Sequence, residues 1–207
     1  MNQKFFLLPE EKQQAIINAG FRVFSRNEYR KSPMREIAEA AGISKSLLFH
    51  YFHNKKELYL FLWETCAEET MKALNESQCD AQGDFFDTMM VGIRARIYLM
   101  RVYPDLSAFS AKAFYETDPE VYTELQKSIA HYASFRKQER LLAIDPAQFK
   151  EGLDLEMMYR DIYWASEGYV WEKLQADRLV ADEIEKEFMR LIAFWKSVYA
   201  RTEDECD

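Results

Sequence analysis

Residues 32–58 decide the fold, and they read SPMREIAEAAGISKSLLFHYFHNKKEL. Signals that begin and end helices alternate along this stretch. Ser32 is predicted as an N-cap with Pro33 in the first helical turn, where a missing N–H costs nothing. Gly42 can adopt the left-handed conformation that ends a helix, and Ser44 can cap the next one. The spacing predicts two short helices joined by a tight turn, which is a helix-turn-helix motif.

The two predicted helices have an apolar and a polar face. Ile43 before the second cap and Leu48 after it are spaced as a hydrophobic staple. Helical spacing places a set of apolar residues on the inner face: Ile37, Ala38, Ala41, Leu47, Leu48 and Tyr51. The outer face of the second helix then carries Lys45, Ser46, Phe49 and His50. These groups can meet phosphates or base edges, so this helix is the candidate recognition helix for DNA.

A third helix is predicted to start at Lys55. Asn54 followed by Glu57 forms an Asn variant of the capping box. Lys55 and Lys56 are expected to be exposed in the first turn, where two cations oppose the helix macrodipole. A nearby phosphate would offset that cost.

Residues 9 to about 61 resemble the N-terminal domain of the TetR/AcrR family of bacterial transcriptional regulators. The resemblance covers about a quarter of the chain and rests on REIAEAAGISKSLLFHYFHNKKEL and on the preceding AIINAGFRVFSRNEY. In the family, the latter segment is the first helix and packs under the motif. The resemblance implies an all-α chain of about nine helices, with a DNA-binding domain at 9–69 (motif 32–51) and a larger helical ligand-binding and dimerisation domain at 70–207.

Two positions depart from the family pattern. Glu28 stands where such proteins usually carry a glycine after the first helix, and Ser46 stands where they usually carry one in the recognition helix. Because position 28 lacks that glycine, Asn27 is expected to adopt the left-handed conformation of the turn. The hydroxyl of Ser46 can bond a phosphate.

Motif and resemblance together predict a set of DNA-binding residues. They are Ser32, Arg35, Ser44, Lys45, Ser46, Leu47, Phe49, His50, Tyr51 and Lys55.

The charge distribution agrees with this location. The first 60 residues carry ten Lys and Arg against six acidic residues, a net charge of +4, whereas the whole chain is −8 and the remainder therefore −12. A positive module on an acidic body concentrates attraction for polyanions at one end, although uneven charge alone also suits an ordinary solvated surface.

The composition indicates a helical protein. Gly (6) and Pro (5) are sparse, and Asp118–Pro119 and Asp145–Pro146 look like helix starts. No signal-peptide core or membrane span is recognisable, and three unevenly spaced cysteines suit reduced thiols, so a cytoplasmic protein is expected. Further helices are predicted at residues 55–75, 86–104, 106–115, 119–144, 153–175 and 182–201, with a break at 78–83.

The last two predicted helices carry more apolar surface than a small bundle covers. In the resembled family the final two long helices form a four-helix interface with a second subunit, which implies a homodimer. The predicted interface residues are Ile162, Tyr169, Phe188, Leu191, Trp195 and Val198. A two-fold protein reads a pseudo-palindromic operator in double-stranded DNA with half-sites about 34–36 Å apart, or a multiple of that.

Aromatic residues and methionines are concentrated beyond residue 60, which holds all four Trp and seven of the nine Met. Packed helices need such residues as core, so each alone has an ordinary structural explanation. Together with charged groups on apolar helices they fit a small-molecule pocket, and the resemblance implies an inducer site. The predicted lining is Met90, Arg94, Tyr98, Phe114, Tyr132, Tyr163 and Glu167. Effector binding is expected to favour a dimer in which the recognition helices no longer match successive grooves.

Two other classes of protein compete with a DNA-binding regulator. The sequence does not support the hypothesis of an enzyme, because it contains no phosphate loop, G-x-S-x-G or HExxH motif. No catalytic residue or cofactor is predicted. His50 and His53 could pair on a metal, but nothing nearby in sequence completes a site, so no metal is predicted. A helical adaptor or small-molecule-binding protein without DNA binding should lack outward cations in the motif. This sequence carries four: Arg35, Lys45, Lys55 and Lys56.

Overall fold

The computed structural model describes residues 3–78, 83–142, 144–176 and 178–201. The regular secondary structure of these residues is helical, with one isolated β-bridge between Phe149 and Ala200 and no β-sheet, so the predicted all-α class is confirmed. The described residues contain nine α-helices: α1 Glu10–Arg26, α2 Met34–Ala40, α3 Lys45–Tyr51, α4 Lys55–Gln78, α5 Phe85–Val102, α6 Leu106–Phe114, α7 Tyr122–Leu142, α8 Leu155–Gln175 and α9 Ala181–Tyr199. Single 3₁₀ turns lie at Gln3–Phe5, Tyr29–Lys31 and Pro146–Gln148. Within the described helices, none is both long enough and apolar enough to cross a membrane.

The chain divides into two compact units. The first comprises Met1–Glu69 and Val102–Tyr132, and the second comprises Thr70–Arg101 and Ala133–Asp207. The sequence predicts one second domain for everything after residue 69, whereas 102–132 packs with the first unit because α6 and the start of α7 contribute to its core. Where the DNA-binding function ends along the chain stays a prediction.

An aromatic core holds the first unit together. The Phe24 ring lies 4.9 Å from Tyr59 on α4, edge to face, and Tyr59 lies 5.3 Å from Phe109 on α6. Such pairs add about 0.5–1.5 kcal/mol each beyond the burial of their apolar area. Leu125 and Ile129 on α7 are buried in the same core. These contacts give α2 and α3 a rigid support.

The predicted turn between α2 and α3 is confirmed. Gly42 has a φ of 69°, which a residue with a Cβ adopts only at a cost. Its N–H donates to Glu39 O at 3.1 Å, and Ile43 N–H donates to Ala38 O at 3.0 Å. This pair of bonds is a Schellman motif, and it satisfies two carbonyls that the end of α2 would otherwise leave open.

Two local expectations around α2 were wrong. Ser32 does not cap the helix, because it is buried and its hydroxyl donates to Glu28 O at 2.9 Å, and α2 starts at Met34 after Pro33. Asn27 is extended, with a φ of −122°, and Glu28 has a φ of −64°. Since neither position needs a positive φ, the usual glycine is not required after α1.

The inner face of α3 differs from the prediction at one residue. Leu48 and Tyr51 are buried as expected, but Leu47 is 37% exposed. A seven-residue helix covering one side of a core buries a narrow stripe, and Leu47 lies at its edge.

The second unit is built mainly from α5, α8 and α9. The buried side chains of α9 recur at helical spacing, with Ile184, Phe188, Ile192 and Trp195 packed in the core that also contains Ile97 and Ile162. Ion pairs join α5 to α9, including Arg101 to Asp182 at 2.7 Å. The apolar seam of α9 is therefore intramolecular.

Gly20 on α1 lies where a side chain would collide with α4. A Cβ at this position would overlap the Leu62 side chain, which is fully buried. We predict that Gly20→Ala lowers the free energy of unfolding by about 1–3 kcal/mol, because overpacking a dense core forces side chains off their rotamers. Urea unfolding of Gly20→Ala, Leu62→Ala and the double variant checks this. The double variant should cost less than the sum of the two single changes, and strict additivity would contradict the predicted clash.

Candidate nucleic-acid interface

The recognition helix α3 starts at a well-formed cap. Ser44 Oγ accepts a hydrogen bond from Leu47 N–H at 3.1 Å, as predicted, and it lies 3.1 Å from Ser46 Oγ. Leu48 and Tyr51 point into the core of the first unit. The cap and these two anchors fix which side of the helix faces outward.

A continuous exposed surface follows from that orientation. Five of the predicted DNA-binding residues on α3 have exposed side chains: Lys45, Ser46, Leu47, Phe49 and His50. The Lys45 ammonium lies 5.7 Å from the centroid of the Phe49 ring, which is within cation–π range. We call these five residues the α3 outer face. It combines a cation, a hydroxyl, apolar groups and an imidazole on two helical turns.

Arg35 on α2 is also exposed, and its Nε lies 2.7 Å from Glu39 Oε1 one turn later. The Glu39 carboxylate raises the pKa of Arg35, so the guanidinium remains charged. Exposed pairs of this kind contribute little to stability because solvent screens them, so the side chain can exchange Glu39 for a phosphate at little cost.

Lys55 has a structural task that the sequence did not predict. Its Nζ donates to Tyr29 O at 2.8 Å and to Arg30 O at 3.1 Å, and it lies 4.4 Å from the centroid of the Tyr29 ring. The ammonium ties the start of α4 to the turn before α2. The Lys55 ammonium, which was expected to be exposed, is therefore engaged by partners within the protein.

The start of α4 accommodates its two lysines without a phosphate. Asn54 Oδ1 accepts from Glu57 N–H at 2.8 Å, which confirms the predicted cap, while the Glu57 carboxylate accepts from His53 N–H at 2.8 Å. Lys56 Nζ lies 2.6 Å from Glu124 Oε1 on α7. The unfavourable position of the cations at a helix N-terminus is offset by partners within the protein.

Two more of the predicted DNA-binding residues face inward. Ser32 is fully buried, and Tyr51 packs edge to face against Phe5 with ring centroids 6.1 Å apart. Both lie on the side of the motif that supports α3 rather than on its outer face.

The histidines do not form a metal site with the residues the structure describes. His53 Nδ1 lies 2.8 Å from Glu57 Oε2. Among those described residues, no three or more His, Cys, Asp or Glu side chains come together as metal ligands would.

An acidic loop before α7 supports the motif, and no sequence pattern pointed to it. Glu116 Oε2 accepts from Tyr29 N–H at 3.2 Å, and Asp118 pairs with Arg30 at 3.2 Å. Burial, followed by the nearby Glu120 carboxylate, raises the pKa of Tyr29 well above its usual value, so the ring stays neutral. These partners are more than 80 residues apart in the chain, and local spacing does not reveal such pairs.

The residues predicted to line a ligand site are distributed over both units. Phe114 and Tyr132 belong to the first, and Met90, Arg94, Tyr98, Tyr163 and Glu167 belong to the second. Tyr132 OH donates to Glu64 Oε2 at 3.0 Å, and burial together with this carboxylate raises the pKa of Tyr132 to about 12. Arg94 pairs with Glu185 at 3.7 Å. The ligand site stays a prediction.

Three residues predicted for a subunit interface are buried inside their own unit, so their side chains are not exposed to a second subunit. Ile162, Phe188 and Trp195 are buried in the core of their own unit, because the regular apolar spacing of α9 serves intramolecular packing. Tyr169 and Leu191 are half-buried beside them. Val198 is exposed, and the same two helices expose further apolar residues that the prediction omitted: Met157, Tyr163, Trp164, Met189 and Phe194.

Comparisons with known proteins agree with this geometry. Residues 16–61 match the family model described as bacterial regulatory proteins, tetR family. The HTH-type transcriptional regulator RutR of Escherichia coli (strain K12) is 27% identical over 148 residues, which are 65% of this chain and 66% of RutR. The chain thus spans about two thirds of the length of that relative. The fatty acid metabolism regulator protein of Bacillus subtilis (strain 168) is 20% identical over 152 residues, 73% of this chain and 78% of that protein.

Solved structures extend the likeness in fold to nearly the whole chain. A TetR family transcriptional regulator from Chloroflexus aurantiacus superposes with a TM-score of 0.64 at 20% identity, covering 97% of this chain and 99% of the other. SmeT, the repressor of the Stenotrophomonas maltophilia multidrug efflux pump SmeDEF, gives 0.66 at 17% identity, covering 94% of each chain. The helix-turn-helix geometry, the matched family model and the shared helical fold lead to one conclusion: residues 16–61 form a domain of the kind found in bacterial regulatory proteins of the tetR family, and the chain shares the helical fold of solved TetR family regulators.

Proposed function

We propose that this chain is a transcriptional regulator that binds double-stranded DNA through the α3 outer face. The observation that carries the proposal is that α3 has two different sides. Leu48 and Tyr51 are buried, whereas the five residues of the α3 outer face are exposed. A helix held in this way fits the major groove, which is about 12 Å wide.

Each exposed group has a chemical task in this proposal. Lys45, with Ser44 and Ser46, contacts phosphates at the groove edge, and Arg35 on α2 adds a second cation. Phe49 and Leu47 contact thymine methyl groups, and the His50 imidazole hydrogen-bonds a base edge. Ser32, Tyr51 and Lys55 act indirectly, by holding the motif together.

A homodimer is the second part of the proposal. α8 and α9 expose large apolar side chains, among them Trp164 at 56% and Phe194 at 61%. Pairing these faces across a two-fold axis would cover them and would present two copies of α3 to a pseudo-palindromic operator.

The third part is repression relieved by a small-molecule effector. SmeT is a repressor, and two corynebacterial relatives are named as the transcriptional repressor AcnR. We propose that an effector binds the helices beyond residue 69 and stabilises a dimer with a different spacing of its recognition helices. A preference of about 2.7–4 kcal/mol for that state lowers DNA affinity roughly 100- to 1000-fold.

Lys45→Ala tests the proposed phosphate contact. We predict weaker binding to random duplex DNA and a slope of log K against log salt concentration that is shallower by roughly 0.9 for each phosphate no longer neutralised, hence by about 1.8 for a dimer. Lys72→Ala is the matched control, because it removes the same charge from an exposed position in the second unit. Fluorescence anisotropy at several salt concentrations measures both variants. Equal slopes for Lys45→Ala and the unaltered protein would exclude α3 as the DNA-binding element. Binding that does not depend on salt in any of the three proteins would favour a helical adaptor.

Phe194→Glu tests the proposed dimer. A charge in the centre of an apolar interface is costly to desolvate, so the variant should sediment as a monomer at concentrations where the unaltered protein is a dimer. Tyr122→Glu, at a 46% exposed aromatic of the first unit, should leave the dimer intact. Analytical ultracentrifugation distinguishes these outcomes. A dimeric Phe194→Glu would show that subunits pair elsewhere.

A further inference from the structure

We infer that Phe5, in the short turn before α1, is a positioning residue for the recognition helix. The inference rests on the proposed DNA-binding function and adds to it a residue outside the helix-turn-helix motif. Phe5 precedes both α1 and the residues 16–61 that match the family model.

Phe5 closes the C-terminal end of α3. Its side chain is completely buried. Its ring lies 6.1 Å from that of Tyr51, the last residue of α3, and 5.1 Å from that of Phe52, which follows it. A third edge-to-face contact, at 5.2 Å, joins Phe5 to Phe61 on α4. One side chain therefore touches both the end of the recognition helix and the helix behind it.

The segment that carries Phe5 is itself tied down. Leu8 N–H donates to Phe5 O at 3.1 Å, and Gln13 Nε2 on α1 donates to Leu8 O at 2.9 Å. The turn is thereby fastened to the first turn of α1, so the Phe5 ring is presented from a fixed backbone and not from a free chain end.

The length of α3 makes such an anchor important. With seven residues it has about two turns, and a helix this short is held by packing more than by its own hydrogen bonds. Ser44 and Leu48 fix its N-terminal half. Phe5 fixes the C-terminal half, from which Phe49 and His50 reach outward. Removing the ring leaves a space behind Tyr51 and Phe52 and allows that half to shift.

Loss of the Phe5 ring should affect phosphate contacts and base contacts differently. Phosphate attraction depends on the charge of Lys45 and Arg35 and tolerates small displacements, whereas hydrogen bonds and methyl contacts to base edges require a fixed helix angle. Loss of Phe5 is therefore expected to reduce sequence-specific binding and to spare non-specific binding.

The experiment compares Phe5→Ala, Phe5→Leu and Leu7→Ala in the whole 207-residue chain. Leu7 is the matched control, since it belongs to the same segment and is 82% exposed. The probes are a duplex selected from a random pool by the unaltered protein and a scrambled duplex of the same length. Phe5→Ala should bind the selected duplex at least tenfold more weakly, with less than a twofold change on the scrambled one. Phe5→Leu, which keeps an apolar group in the site, should recover part of the loss, and Leu7→Ala should match the unaltered protein.

Amide hydrogen exchange of the DNA-free protein tests whether Phe5 holds α3 in place, independently of any effect on DNA binding. In Phe5→Ala the amides of residues 49–52 should exchange at least tenfold faster, while those of α9 should keep their rates. If Phe5→Ala does not fold, Phe5→Leu should show the same local increase to a smaller extent. Unchanged exchange at 49–52, or an equal loss of affinity on both duplexes, would overturn the inference. If the unaltered protein selects no duplex, the proposed function fails, and the exchange rates still decide whether Phe5 holds α3.

Discussion

The structure of the first unit depends on burial of one side of a very short helix. α3 has two turns, and Leu48 and Tyr51 hold it against the aromatic core formed by α1, α4 and α6. Because the inner side is fixed, the outer side chains have a defined direction. Burial of such side chains contributes about 1.5–3 kcal/mol each, which is more than a two-turn helix gains from its own backbone bonds. The chemistry offered to DNA is thus a consequence of packing behind the helix.

Charge in this unit is divided between two tasks. Lys55, Lys56 and Arg30 are held by backbone carbonyls or by carboxylates from the segment before α7 and its first turn. Lys45 and Arg35 remain at the surface on α3 and α2. The positive charge of the first 60 residues therefore overstates the charge available to a polyanion, since part of it fastens the motif to α7. The same ion pairs tie residues 102–132 to the rest of the first unit.

The sequence predicted features whose cause is local. The Ser44 cap, the Gly42 turn and the Asn54 cap each depend on partners within five residues, and all three occur as expected. The predicted Ser32 cap was wrong and the partners of Lys55 were missed, because burial and a backbone partner 26 residues away decide these contacts. On α9, Phe188 and Trp195 lie on the buried stripe, whereas Leu191 is half-buried and Val198 is exposed. Apolar spacing alone does not distinguish an internal seam from a subunit interface. Phe5 was missed for a similar reason, since a phenylalanine before the first predicted helix has no local signal of burial.

The central claim is that two copies of α3 occupy major grooves of one DNA duplex. Dimethyl sulfate protection of guanine N7 tests it most directly, because that atom lies in the major groove. On a duplex selected by the protein, two protected patches are expected, related by a two-fold centre and separated by about 10–10.5 base pairs or a multiple of that. A single patch, or complete reactivity of every guanine N7 under conditions of saturated binding, would contradict the account.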